Sequence, residues 1–474
     1  MTLKKSSNLS KYLFLQTKYL YMIITLLTFF PMVIFRFGRL DDFSFYLYSR
    51  NDVQGVINSG LSFGRPITTF IIGKTIGLVS NIDGFSIIRA GTLIILILIV
   101  YLASTFYKLN TKSVSIWPLF LLFYFISLPG LWVFMSWAQG LPHVLGLLFV
   151  LISVMAYCSP QHQKYFFVFS FLTFFTYQPF GLLIPILLVP KLFKEKTRNL
   201  VREFVKMFLW VFFLCLLNYF IVKSQKNPNV RSQITSDYIE KMSWFVSEWI
   251  PRVLFPWSLK VNIIGSSVVG IIFLVVFISF ARKNKFSHVF ILLSSMILPS
   301  LLFLITGENW ASSRAVLASN ISFGIGLLFL VFKCDLLKKS YFIMKLAALG
   351  VAAALFFNSI FIGYGSLVLP QAQEWQNTIN DMAIVPRDAI EITGHLSFFE
   401  QSPAVSFSYD EFGILNSSVP DALRGMIKMA MSSSRLVNIP VNIEADRKCQ
   451  RLFSSFDEKS KRFNLYPLAG MPGC

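Results

Sequence analysis

Residues 87–106 read IIRAGTLIILILIVYLASTF, a run of twenty whose single charge is Arg89. A bilayer core about 30 Å thick takes ~20 apolar helical residues to cross, and this run supplies them. Working outward, comparable runs of about 15–22 residues lie at 19–35, 114–131, 138–157, 164–177, 179–193, 206–222, 262–280, 286–305, 314–332 and 341–361, which makes eleven in all. Of the 474 residues, 55% are hydrophobic and 14% charged, with 51 Phe, so the chain cannot be a cytosolic domain. The fold class expected is an all-α polytopic membrane protein of about eleven transmembrane helices.

A further apolar run, 66–80, holds Lys74, Gly73 and Gly77 and is short enough to suit an interfacial or re-entrant helix. Charge decides its status. The connections 107–113, 158–164, 191–206, 281–285 and 333–340 carry Lys and Arg, as does the N-terminus through Lys4, Lys5, Lys11 and Lys18. By the positive-inside rule these face the cytoplasm. The short loops 132–137 and around 178 carry no Lys or Arg, and 306–313 has only Glu308, so these face the other side. The pattern closes only if 66–80 does not cross. Residues 36–86 and 223–261 then become two long outside loops, and 362–474 an outside C-terminal region. The net charge of +20, from 43 basic and 23 acidic residues, is scattered among the apolar runs. It speaks for membrane orientation and against nucleic acid. The basic N-terminus leads into the first run without a small-residue cleavage site, so that run is expected to stay as an anchor.

Cys158, Cys215 and Cys334 fall in helices or at cytoplasmic ends, where they would stay reduced. Cys449 and Cys474 lie in the outside tail and could pair as a disulfide in an oxidising compartment. The tail is less apolar than the rest: alternation at 404–409 suggests a strand and 421–431 a short helix, together a small α/β domain. In the second long loop, 238–257 sets Tyr238, Trp244, Trp249 and Trp257 among charges, a pattern that fits a membrane-surface anchor better than a sugar-stacking platform.

Directly after the first run comes Arg36-Phe37-Gly38-Arg39-Leu40-Asp41-Asp42-Phe43, two adjacent carboxylates at the outer membrane boundary. A carboxylate held beside a lipid-phosphate headgroup can take the proton of an attacking sugar hydroxyl. The plainer reading is an acidic pair that balances Arg36 and Arg39. The four histidines, at 143, 162, 288 and 395, are far apart and no Cys or His pair has zinc-ligand spacing. His143 stands with Gln139 and Pro142 at the start of a run and could face the same site, although a lone His there is usually structural. The sequons at Asn320 and Asn416 matter only in a secretory pathway.

The order of motifs resembles the GT-C glycosyltransferases, polytopic enzymes that use polyprenyl-phosphate sugars. It runs from Asp41-Asp42 past the first helix, through Gly64-Arg65-Pro66 and Arg89 opening the next run, to the Tyr177-Gln178 turn and a late Arg in Ser312-Ser313-Arg314. Within that group it is most similar to the bacterial O-antigen-modifying glucosyltransferases of serotype conversion. The likeness covers most of residues 19–335; the tail matches nothing in it. The resemblance implies a catalytic carboxylate in the first outside loop, Asp42 or Asp41 with Asp42 slightly preferred, and juxtamembrane helices beside it. It also implies a substrate-binding set of Arg39, Arg65, Gln178, Glu308 and Arg314. For several of these a plainer role stays open: a snorkelling Arg65, a helix turn at Gln178 beside Pro179, a Glu308–Arg314 pair. Some related enzymes use a divalent cation, Mg or Mn, which Asp41 and Asp42 would have to hold.

The activity so implied is inverting transfer of glucose from undecaprenyl phosphate to lipid-linked O-antigen, at the periplasmic face of the bacterial inner membrane. The N-terminus would be cytoplasmic and the tail periplasmic. The partners implied are the lipid-linked sugar donor, the O-antigen glycolipid acceptor and membrane lipids. A flippase of lipid-linked sugar would need mid-membrane ionisable residues or broken helices in paired repeats, and neither is legible. An O-antigen polymerase would carry its key arginines in later loops instead of opening on a carboxylate pair.

Overall fold

The computed structural model describes residues 2–111, 117–226, 234–258, 261–307, 309–333, 341–386, 388–396, 414–432, 436, 439–445 and 454–466. Among them, seven helices are long and apolar enough to cross a membrane: Ile82–Phe106, Ala138–Cys158, Thr197–Lys223, Ile263–Lys283, Phe286–Ile305, Ser313–Val331 and Ala348–Ile384. A bent pair, Leu119–Ser127 and Pro129–Ser136, meets at 63°, and three shorter apolar helices cover Lys18–Ile34, Lys164–Thr176 and Gln178–Leu192. The protein is a helical membrane protein. Its outer surface shows why: Ile264, Ile271 and Val275 on one helix, and Phe208, Phe212 and Phe220 on another, point away from the bundle and stay exposed. In water that surface would be a large penalty; in lipid it is not.

Two helices depart from their hydropathy pattern. The run 114–131 is not one straight crossing. Pro129 starts a new helix and holds Leu128 extended, at φ −67° and ψ 122°, because proline disfavours the helical region in the residue before it. The segment 132–137, which reads as a short loop, is mostly the second arm of this bend. The run 341–361 does not stop where its hydropathy drops: Tyr341–Ile362 continues through wider π turns at Gly363–Val368 into Leu369–Ile384. Gln371, Gln373, Glu374 and Gln376 end the apolar run but are good helix formers, so hydropathy falls while the helix goes on. The tail expected from 362 therefore begins as a helix.

The first long loop folds into three helices, Leu40–Asn51, Val53–Ser62 and Pro66–Gly77. The last is twelve residues, about 18 Å at 1.5 Å per residue, which is short of a bilayer core. Asp52 caps the second by accepting from the Gly55 N–H at 2.7 Å, and Pro66 opens the third, where its missing N–H costs nothing.

Contacts gather the loops into two groups. Arg314 with Asp41, Arg65 with Gln178, and Lys241 with Asn309 (3.0 Å) join the first long loop, the turn at 178, the second long loop and 306–313. At the other ends of these helices, Lys285 reaches Thr197 and Phe193 packs on Phe329 and His288. In the second loop, Ile239, Met242 and Val246 face outward. Two of the aromatic residues read there as surface anchors turn inward instead. Trp249 is fully buried against Phe303, and Trp257 donates to Ser127 Oγ at 2.8 Å.

The described tail holds the helix expected near 421–431, as Pro420–Ser432, and a four-stranded sheet ordered Val441–Ala445, Glu391–Leu396, Arg462–Leu465, Ser455–Asp457. The first two pairings are parallel and the last antiparallel. Its core is shared with the first loop: Leu423, Met426 and Phe463 cluster with Phe43, Tyr46 and Phe85. A Cβ on Gly425 would stand 2.3 Å from the Phe43 carbonyl, so only glycine lets the tail helix lie this close to the loop helix. Buried Glu374 anchors the junction. It accepts from the Asn416 N–H (3.0 Å), the Asn416 side chain (2.9 Å) and the Ser417 N–H (2.7 Å), while Asn416 also donates to Gly38 O. The strand expected at 404–409, the Cys449–Cys474 pair, Cys334 and Glu308 lie outside the described residues.

Candidate functional site

Arg89 sets the position of the acidic pair. It is fully buried and spends its guanidinium on the end of the first helix, donating to Met32 O (2.8 Å), Phe35 O (3.0 Å), Phe37 O (2.7 Å) and Ser86 Oγ. These are carbonyls near a helix C-terminus, where a cation is favourable. The chain then turns through extended Arg39 into Leu40–Asn51, with Asp41 and Asp42 in the first turn.

The two carboxylates have separate surroundings. Asp42 is fully buried, and both of its oxygens are taken by backbone N–H groups: Arg39 and Ala138 on Oδ2 and Gln139 on Oδ1, each at 3.1 Å. It caps its own helix and pins the break between Pro129–Ser136 and Ala138–Cys158, whose buried amides would otherwise lack a partner. Burial pushes its carboxyl up to about 6, against the pull of the three backbone hydrogen bonds and the charge of Arg89. Asp42, slightly preferred as the base from sequence, is thus fully buried with three of its four lone-pair positions already accepting backbone N–H groups.

Asp41 is the reachable one, with its side chain 43% exposed. It accepts from Gln139 Nε2 at 2.9 Å and faces Arg314 Nη1 at 3.8 Å. Gln139 thus serves both carboxylates, one with its side chain and the other with its backbone. Arg314, 18% exposed, lays its guanidinium over the rings of Trp137 and Trp310, 4.5 and 4.9 Å from their centroids. Arg39 is fully buried, donates to Ser136 Oγ at 3.1 Å and lies 5.0 Å from the same Trp137 ring.

A second basic group sits beside this one. Arg65 donates from Nε to Gln178 Oε1 at 2.9 Å and lies over the Tyr177 ring at 4.7 Å. Gln178 in turn donates to Gly64 O at 2.7 Å, and Asn218 donates to the same oxygen at 2.6 Å. Gly64 has φ +67°, and a Cβ there would meet Asn218 Oδ1 at 2.4 Å, so this turn requires glycine twice over. Gln178 is only 8% exposed and is occupied in holding the Arg65 turn. Tyr177 links the two groups, since its hydroxyl donates to the Arg314 carbonyl at 3.3 Å. Buried His143 stacks on Phe134 and meets Tyr177 edge-on, within the electrostatic reach of both Arg65 and Arg314.

Of the residues singled out by sequence, Asp41, Asp42, Arg39 and Arg314 meet around Trp137, with Arg65, Gln178 and His143 joined to them through Tyr177. Glu308 lies outside the described residues. Sequence reading passed over Trp137, the double role of Gln139, and Asn218. The signals were small: a polar interruption, Ser136-Trp137-Ala138-Gln139, between apolar runs, and one amide inside an otherwise apolar helix. The pair does not suit a divalent cation, because Asp42 is fully buried with three of its four lone-pair positions filled by backbone N–H groups and Asp41 already faces a guanidinium.

No family model, curated protein or solved structure matches the chain.

Proposed function

We propose that the protein is an inverting GT-C-type glycosyltransferase that moves a sugar, glucose by the resemblance, from undecaprenyl phosphate to a lipid-linked O-antigen. The observation that carries this reading is the reachable carboxylate of Asp41, held by Gln139 and faced by Arg314 at 3.8 Å. In this reading the acceptor hydroxyl attacks the anomeric carbon from the face opposite the phosphate. Asp41 takes the hydroxyl proton, the bond from anomeric carbon to phosphate oxygen breaks, and its electron pair leaves with the phosphate. Arg314 and Arg65 offset the anion's charge. Asp42 and Gln178 act through the groups they hold, and Arg39 supports Trp137 from within.

The short connections without Lys or Arg, around 178 and at 306–313, gather on the side of Asp41, apart from the basic connections 191–206 and 281–285, and this supports a site on the periplasmic face. In this reading charge parity makes the bent pair and the three shorter helices crossings, eleven in all, with a cytoplasmic N-terminus and a periplasmic tail. The test is transfer by the purified chain from radiolabelled undecaprenyl-phosphate-glucose to O-antigen glycolipid. Label on the acceptor with inverted anomeric configuration is expected. Release of intact donor across vesicles without a new glycosidic bond would overturn the reading in favour of a flippase, and chain lengthening would overturn it in favour of a polymerase.

A further inference from the structure

The indole of Trp137 is a donor of this site without an acceptor among the described residues. Its Nε1–H is buried, and the whole residue is only 2% exposed. Other indoles of the bundle find partners: Trp132 donates to Ile126 O, Trp210 to Ser170 Oγ and Trp257 to Ser127 Oγ, each at 2.8 Å. An indole N–H can only donate, so neither adjacent guanidinium can satisfy it. What completes such a set is an acceptor, and one bearing negative charge. The guanidiniums of Arg39 and Arg314 lie within 5.0 Å of the Trp137 ring, and the second of them is partly exposed beside Asp41.

The backbone points the same way. Trp137 is extended, at φ −97° and ψ 137°, between two apolar helical segments. Irregular backbone at membrane depth is kept only where protein buries it or where it lines a site. Here the amides on either side are accounted for: Trp137 N–H donates to Val133 O, Gly140 N–H to Trp137 O, and those of Ala138 and Gln139 to Asp42. The indole is left over.

We propose that the Trp137 indole N–H donates to an anionic oxygen of the phosphate that joins the carrier lipid to its sugar, beside the Arg314 guanidinium. The inference rests on the transferase reading and adds to it a neutral donor that binds the leaving phosphate. Trp137→Phe keeps an aromatic ring for the guanidiniums and removes the N–H. Trp249→Phe is the matched control. Trp249 is also buried with no acceptor for its indole among the described residues, but its neighbouring rings are Phe245 and Phe303.

The experiment measures binding of undecaprenyl phosphate, and separately of inorganic phosphate, to the full chain in detergent for the wild type and both variants. Thermal unfolding without ligand is recorded alongside. Expected is a roughly tenfold weaker Kd for undecaprenyl phosphate in Trp137→Phe, the scale of one hydrogen bond to a charged group. Trp249→Phe should bind as the wild type does, and the two variants should unfold at similar temperatures. Equal Kd in Trp137→Phe and wild type would overturn the inference and leave the transferase reading standing. An effect confined to inorganic phosphate would overturn the lipid assignment, and absence of lipid binding by the wild type would overturn both readings.

Discussion

Gln139 is bonded to Asp41 through its side-chain amide at 2.9 Å while its backbone N–H holds Asp42 at 3.1 Å, so one residue of a distant helix gives two sequence neighbours opposite duties. Asp42 becomes part of the frame. Asp41 is left at the surface of the site, oriented and reachable. The sequence distance between the partners, 97 or 98 positions, is why adjacency alone could not separate the roles.

The two carboxylates should therefore fail in different ways. Asp41→Asn is expected to lower transfer by about 10²–10⁴-fold, as loss of a general base does, with the unfolding temperature unchanged. Asp42→Asn places an amide N–H against backbone N–H groups and should cost about 1–3 kcal/mol of stability. Transfer assays paired with thermal unfolding in detergent check both. Full activity in Asp41→Asn would remove the proposed base.

Stability should also carry the signature of Asp42 in its pH dependence. Burial lifts this carboxyl to about 6 from its ordinary 3.8, so the folded chain holds the proton more tightly than the unfolded chain. The stabilisation from protonation is complete below about 3.8 and is lost as pH rises through about 6, a change on the order of 3 kcal/mol. Unfolding midpoints followed from pH 3.5 to pH 7 should show a fall in this window that Asp42→Asn lacks. The same fall in both proteins would assign it to another group.

Arg314→Lys tests the shape of the cation as well as its charge. A lysine keeps the charge but not the flat guanidinium that rests on Trp137 and Trp310. We expect kcat/KM for the lipid donor to drop by about tenfold or more, since the planar, two-point contact to the proposed departing phosphate is lost even though the charge is kept. A kinetic comparison with Lys74→Gln, an exposed cation of the first loop, supplies the reference.

The tail should detach when its buried acceptor is removed. Glu374→Ala leaves the N–H groups of Asn416 and Ser417 without their partner, and such losses cost about 3 kcal/mol or more in sum. Limited proteolysis should then cut the tail faster than in the wild type, with the membrane bundle intact. Glu374→Gln, which keeps one acceptor oxygen, should fall between the two.

Loss of Arg89 should be felt throughout the bundle. Arg89→Met strands the carbonyls of Met32, Phe35 and Phe37 at the end of the first helix and is expected to destabilise by about 3 kcal/mol or more. Reduced accumulation in membranes, together with a lower unfolding temperature, would be the readout. Unchanged yield and melting would show that the carbonyls find other donors.

The membrane character of this chain was legible without a structure, because hydropathy over ~20 residues is set by local composition, and an apolar run of that length satisfies its backbone in lipid by forming a helix. Short length and charge parity placed 66–80 outside the list of crossings, and the adjacency of two carboxylates at the end of the first run marked Asp41 and Asp42. Hydropathy could not show that Pro129 bends one apolar run, that the helix after Tyr341 continues into polar sequence, or that Trp249 turns inward, since each depends on backbone sterics or on neighbours far along the chain. The roles within the site were decided by tertiary structure alone. Which groups a carboxylate accepts from, and whether an indole N–H finds an acceptor, depends on what packing brings within about 3 Å, and the Ala138, Gln139 and Arg314 groups that meet Asp42 and Asp41 come from segments that only the folded bundle makes adjacent.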